Sequence, residues 1–75
     1  MKIEIYGKLN CSFCTAAKEV LDKNSIEYRY YLLDRDYTIM QLWEKVQFKT
    51  FPQIFINDEP IGGFSEMMRY FDGEE

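Results

Sequence analysis

A chain of 75 residues sits near the size at which one hydrophobic core becomes marginal, yet 47% of it is hydrophobic and 17% aromatic, so one compact domain over residues 1–75 is expected without staples or metal. The formal charge of −4, nine Lys and Arg against thirteen Asp and Glu, argues against a nucleic-acid partner, which needs a basic face. No apolar run reaches the length of a membrane span and Met1-Lys2-Ile3-Glu4 opens without a signal-peptide pattern, so the expected setting is the cytoplasm, away from membranes.

Ile3 and Ile5, with Tyr6 beside them, predict a first strand that ends at Gly7. The polar loop Lys8-Leu9-Asn10 then leads into Cys11-Ser12-Phe13-Cys14, which holds both cysteines of the chain. From Thr15 to Leu21 the pattern is helical: Ala17, Val20 and Leu21 share a face with Ala16 beside them, while Lys18, Glu19, Asp22 and Lys23 form the wet side. Cys11 therefore falls at a helix N-terminus, where unpaired amides and the helix dipole stabilise a thiolate and lower its pKa. Cys14, one turn in, lies within reach of a disulfide. The pair reads as redox chemistry, one thiol attacking and the other resolving. Other readings compete: a structural zinc site, for which two cysteines and no histidine fall short of four ligands; two thiols packed as small hydrophobes, against the polar loop before Cys11; and a structural staple, which usually comes with more cysteines.

After a stop at Asn24-Ser25, the alternation of Ile26, Tyr28, Tyr30 and Leu32 with Glu27 and Arg29 predicts a second strand from Ile26 to Leu33. Asp34-Arg35-Asp36 is a turn and a candidate N-cap for a second helix carrying Ile39, Leu42 or Trp43, and Val46, ending near Gln47. Phe51 to Ile56 and Pro60 to Gly62 are two short strands around a three-residue turn, Asn57-Asp58-Glu59, hence an antiparallel hairpin. Gly62-Gly63 breaks the pattern, Ser65 is a candidate cap, and Met67 or Met68 with Phe71 marks a last amphipathic helix before a frayed tail, Asp72-Gly73-Glu74-Glu75. A helix between the first two strands makes them parallel with a right-handed crossover. The expected fold is α/β, a four-stranded mixed sheet in the order βαβαββα with helices on both faces.

Three motifs, Lys8-Leu9-Asn10-Cys11-Ser12-Phe13-Cys14, Thr50-Phe51-Pro52-Gln53-Ile54-Phe55-Ile56 and Gly62-Gly63-Phe64-Ser65-Glu66, resemble in order and spacing those of the glutaredoxins, small members of the thioredoxin superfamily, over nearly the whole chain. The brevity is similar to that of phage-encoded or bacterial members. The resemblance implies a thioredoxin-like fold, Cys11 as nucleophile, Cys14 as resolving thiol, and a cis bond before Pro52. It also implies glutathione as co-substrate, with Lys8 and Lys49 near its glycine carboxylate and the Phe51 backbone pairing with its cysteinyl segment. Gly63, Phe64 and Ser65 would then lie against its γ-glutamyl carboxylate, with Phe13, Thr50 and Pro52 completing the contacts. The chain departs from the family in having Ser12 where proline is frequent, Phe13 where tyrosine is frequent, and Gln47-Phe48-Lys49 where a glycine and basic residues are common.

The function implied is a monomeric thiol-disulfide oxidoreductase that reduces protein disulfides and glutathione mixed disulfides without an obligatory metal. Two alternatives stand beside it. One is a redoxin recharged by a thioredoxin reductase and donating electrons to ribonucleotide reductase. The other is an iron-sulfur cluster carrier in which two chains and two glutathiones share a cluster through Cys11.

Overall fold

Strand β1 (Ile3–Gly7) is the centre about which the rest is built, its Ile3, Ile5 and Gly7 turned inward in strict alternation. The computed structural model describes residues 1–73. It adds α1 (Ser12–Lys23), β2 (Arg29–Leu32), α2 (Ile39–Trp43), β3 (Gln53–Ile56), β4 (Glu59–Gly62) and α3 (Phe64–Phe71) in chain order. The sheet runs β2-β1-β3-β4. Because α1 carries the chain back across the sheet, β2 lies parallel to β1, from Glu4 opposite Arg29 to Gly7 opposite Leu32. β3 is antiparallel to β1, setting Ile3 against Ile56 and Ile5 against Ile54, and β4 pairs back on β3. The result is the mixed four-stranded α/β sheet that the order of elements predicts.

One face of the sheet is aliphatic. Ile3, Ile5, Ile54 and Ile56 meet Ala17 and Leu21 of α1 and Met67 of α3 in a single buried cluster. Each isoleucine, leucine or methionine among them contributes about 1.5–3 kcal/mol on full burial. The opposite face is aromatic: Tyr37, Phe55 and Leu42 of α2 are buried, with Tyr6, Tyr31, Trp43 and Phe51 packed around them. The Tyr6 ring stands 5.0 Å from both Tyr31 and Tyr37, centroid to centroid. The Tyr37 hydroxyl donates to the Gly7 carbonyl at 2.7 Å, and burial holds its phenol above the ordinary range. Gly7 is required where it stands, since a Cβ would collide with the Tyr30 phenol ring.

Several boundaries differ from those the sequence predicts. β2 begins at Arg29 rather than Ile26: Ser25 adopts φ 56° and the Ile26 amide closes on the Leu21 carbonyl at 2.9 Å, so Ile26–Tyr28 is a connection that packs on the core without joining the ladder. The cap of α2 is Thr38, not the Asp34–Asp36 turn. Its hydroxyl accepts from the Gln41 amide at 3.3 Å while the Gln41 side chain accepts from the Thr38 amide at 2.9 Å, a capping box. Asp36 is occupied elsewhere, accepting from the Leu32 amide at 2.8 Å. α2 closes at Trp43, and Val46 reaches the aromatic face from the turn beyond it. β3 starts at Gln53 because Pro52 has no N–H to give a ladder. The hairpin turn has two residues, Asn57 and Asp58, at φ 50° and 70°, the left-handed pair of a type I′ turn that Asn and Asp tolerate; Glu59 belongs to β4. Asp72 caps α3 and Gly73 follows at φ 77°, while the rest of the expected frayed tail, Glu74 and Glu75, lies outside the described residues.

Candidate active site

The loop after β1 turns at Asn10, φ 56°, and delivers Cys11 in extended conformation, φ −123° and ψ 102°, as the N-cap of α1. Asn tolerates that left-handed turn better than most residues. Cys11 and Cys14 are joined as a disulfide, their Cα atoms 5.3 Å apart. The Cys11 sulfur accepts from the Cys14 amide at 3.2 Å. The N-terminal amide of α1 thus already points at the sulfur that would carry negative charge after reduction. Exposure separates the two: Cys14 is 1% accessible and Cys11 is half-buried. An attacking partner from solution can reach Cys11, whereas Cys14 is reached through Cys11.

The three motifs that are distant in sequence close on one another here. The Lys8 ammonium stands 5.2 Å from the centroid of the Phe51 ring. Pro52, buried and preceded by a cis peptide bond as the resemblance implies, has its carbonyl next to Gly63, where an added Cβ would come within 3.3 Å. The Phe13 ring lies 5.8 Å from the Phe64 ring. These pairs bring Lys8, Phe13, Phe51, Pro52, Gly63 and Phe64 together, and Cys11 lies on the same segment between Lys8 and Phe13. Thr50 is exposed at the edge of the same loop, whereas Lys49 and Ser65 are exposed and make none of these contacts among the described residues. Ser65 is not the cap of α3, because the helix begins one residue earlier and Gly63 is the cap.

Two residues that the sequence reading did not single out hold this surface in shape. Gln53, 3% exposed, shares its side-chain N–H groups among the Phe48 carbonyl at 3.0 Å, the Thr50 carbonyl at 2.9 Å and the Thr50 hydroxyl at 3.0 Å. A polar residue at the head of an otherwise apolar strand was the available signal. Glu66 folds back from α3 to accept from the Gly63 amide at 2.8 Å and also pairs with Arg69 at 3.0 Å. The Gly-x-x-Glu spacing is a capping pattern. Gly62 precedes it at φ 118°, a conformation that L side chains rarely adopt.

The Gly63 amide, with the amide of Glu66 itself and Arg69, draws the Glu66 carboxyl below the ordinary range. A carboxyl whose folded pKa is depressed contributes stability above its unfolded pKa, about 4.3, and that contribution is lost as pH falls through the folded value. Glu66→Gln keeps an acceptor for Gly63 but not the charge. The variant is expected to unfold at lower urea concentration than the parent at pH 7, the two midpoints drawing together as pH is lowered towards 3. A gap that persisted unchanged at pH 3 would show that the charge is not what matters.

Two grooves lie near these motifs, and Cys11 lines the second of them. On the β3 and β4 side, a depression of about 740 Å³ is lined by Phe48, Thr50, Gln53, Gly62, Gly63 and Glu66 among others. On the β2 side, one of about 660 Å³ includes Lys8, Cys11, Ser12, Lys18, Tyr30 and Arg35. Among the described residues no group of three or more His, Cys, Asp or Glu is placed to hold a metal ion, and no helix is long and apolar enough to cross a membrane.

Comparison with known proteins agrees with this geometry. The family model described as glutaredoxin matches residues 3–61. The hybrid peroxiredoxin hyPrx5 of Haemophilus influenzae is 33% identical over 92% of this chain and 29% of its own length. Glutaredoxin-2 of Schizosaccharomyces pombe is 38% identical over 87% of this chain and 63% of its own. The chain thus spans less than two thirds of these relatives. Among solved structures, glutaredoxin 1 of Francisella tularensis, complexed with cacodylate, is 34% identical with a TM-score of 0.79, over 96% of this chain and 93% of that one. A buckwheat glutaredoxin-glutathione complex is 25% identical with a TM-score of 0.81, over 96% and 70%. The NrdH-redoxin of Escherichia coli, a glutaredoxin-like protein with a thioredoxin-like activity profile, shares the fold at 22% identity and a TM-score of 0.76, over 95% and 93%.

Proposed function

Because the chain belongs to the glutaredoxin family of thiol-disulfide oxidoreductases, we propose that it is a dithiol member that reduces protein disulfides and glutathione mixed disulfides with glutathione as electron donor. The observation that carries this reading is the convergence of Lys8 with Phe51, of Gly63 with Pro52 and of Phe13 with Phe64 around Cys11. A tripeptide with a carboxylate at each end, joined to Cys11 through its own sulfur, finds there a cation, the Phe51 backbone just ahead of β3 and the start of α3.

In the reduced protein the Cys11 thiolate attacks one sulfur of the substrate disulfide; that bond breaks, the departing thiolate takes a proton from solvent, and the substrate is held on Cys11. The Cys14 thiolate then attacks the Cys11 sulfur and releases the second substrate thiol. Two electrons have passed to the substrate, leaving the Cys11–Cys14 disulfide. One glutathione thiolate opens it by attack on Cys11, and a second releases the first as glutathione disulfide.

A second reading follows from size and fold, since the chain also spans nearly the whole length of a redoxin: electrons from a thioredoxin reductase, passed to a substrate such as ribonucleotide reductase. Turnover of a glutathione mixed disulfide, followed by NADPH consumption with either reductase, separates the two. Saturable turnover with glutathione and glutathione reductase is expected. Turnover only with thioredoxin reductase would replace the first reading by the second.

A further inference from the structure

We propose that the groove on the β2 side of Cys11 docks an acidic segment of the protein substrate that flanks the disulfide under attack. The inference rests on the reading that Cys11 attacks protein disulfides. Lys8 and Cys11 before α1, Lys18 on α1, Tyr30 on β2 and Arg35 in the turn beyond β2 all line this groove of about 660 Å³. Three of the chain's nine cations face it. No carboxylate of the described residues lines it.

Not all three cations are equally free. Arg35 is held by Asp36 at 2.7 Å, which neutralises much of its charge. Lys8 and Lys18 have no carboxylate within salt-bridge distance among the described residues. Each instead lies over a ring, Lys18 at 4.1 Å from the Tyr30 centroid and Lys8 at 5.2 Å from that of Phe51. A ring face positions a cation without cancelling it, so both charges remain available to a ligand. The overall charge of −4 repels an acidic partner at long range. At contact the field beside Cys11 is reversed, and complementarity of this kind selects partners and raises encounter rates. Neither Lys18 nor Arg35 is among the residues assigned to glutathione, and Lys18, with no carboxylate partner among the described residues, is the cation left for residues adjoining a substrate cysteine.

The step served is the first transfer: the Cys11 thiolate bonds to the nearer substrate sulfur, the substrate S–S bond breaks, and the departing thiolate is protonated by solvent. The test is the single-turnover rate of pre-reduced protein with peptide disulfides identical except for flanking Asp and Glu, Ser, or Lys. The acidic peptide is expected to react about tenfold faster than the basic one at low salt, the rates converging at high salt. Lys18→Gln with Arg35→Gln is expected to remove most of that preference while leaving turnover of a glutathione mixed disulfide unchanged. Equal rates for acidic and basic peptides, or a preference undiminished in the double variant, would overturn the inference. Loss of glutathione-coupled turnover in the parent would instead overturn the electron-donor reading and leave the order of peptide rates intact.

Discussion

Cys11→Ser is expected to abolish both reduction of protein disulfides and removal of glutathione from mixed disulfides, whereas Cys14→Ser is expected to lose the first and keep the second. The asymmetry follows from position. Cys11 is half-buried at the N-cap of α1 with the Cys14 amide on its sulfur, while Cys14 is closed off from solvent. A glutathione mixed disulfide needs one nucleophile, because Cys11 takes the glutathionyl group and a second glutathione removes it. A protein joined to Cys11 is released fastest by a thiol one helical turn away at high effective concentration, so its reduction should fall by on the order of a hundredfold or more without Cys14. The Cys14→Ser protein should also retain one glutathione, visible as an adduct in its intact mass. Activity in Cys11→Ser, with Cys14→Ser dead in both assays, would reverse the roles.

The elements that the sequence made legible are those whose cause is local. Ile3 and Ile5 alternate because one face of a strand is buried, and the face of Ala17 and Leu21 repeats because one side of a helix is. The helix start at Cys11-Ser12 follows from the same reasoning. What sequence reasoning missed was decided by competition or by tertiary placement. The Asp34-Arg35-Asp36 turn was the expected cap of α2, but Asp36 is drawn away by the Leu32 amide and Thr38 caps the helix instead. Ser65 looked like the cap of α3, yet Glu66 closes on Gly63 from the next residue. The cationic groove was out of reach, since Lys18 and Arg35 meet only when α1 and the turn after β2 come together around Tyr30.

Gln53→Leu should leave the fold standing and cripple glutathione handling. The buried amide of Gln53 is what ties Phe48 and Thr50 to the head of β3, and the segment it ties leads directly into Phe51 and Pro52. Leucine has similar bulk, so packing beside Ile54 is kept, but the Phe48 and Thr50 carbonyls lose their donor. Because Phe48 and Thr50 are exposed, water can replace part of what is lost. The global cost should therefore be modest, about 1–3 kcal/mol in urea unfolding. The larger effect falls on binding, which must now re-order the loop each time glutathione docks. KM for a glutathione mixed disulfide is expected to rise on the order of thirtyfold, equivalent to about 2 kcal/mol. The single-turnover attack of Cys11 on a small disulfide that does not use the loop should be unchanged, since Cys11 takes its amide from α1. If KM stayed at the parent value while stability fell, Gln53 would be structural only and the Thr50–Pro52 loop would not bear on glutathione. Gln53→Glu distinguishes a lost donor from altered shape: it preserves length but replaces the N–H groups with acceptors, and should raise KM at least as much as leucine.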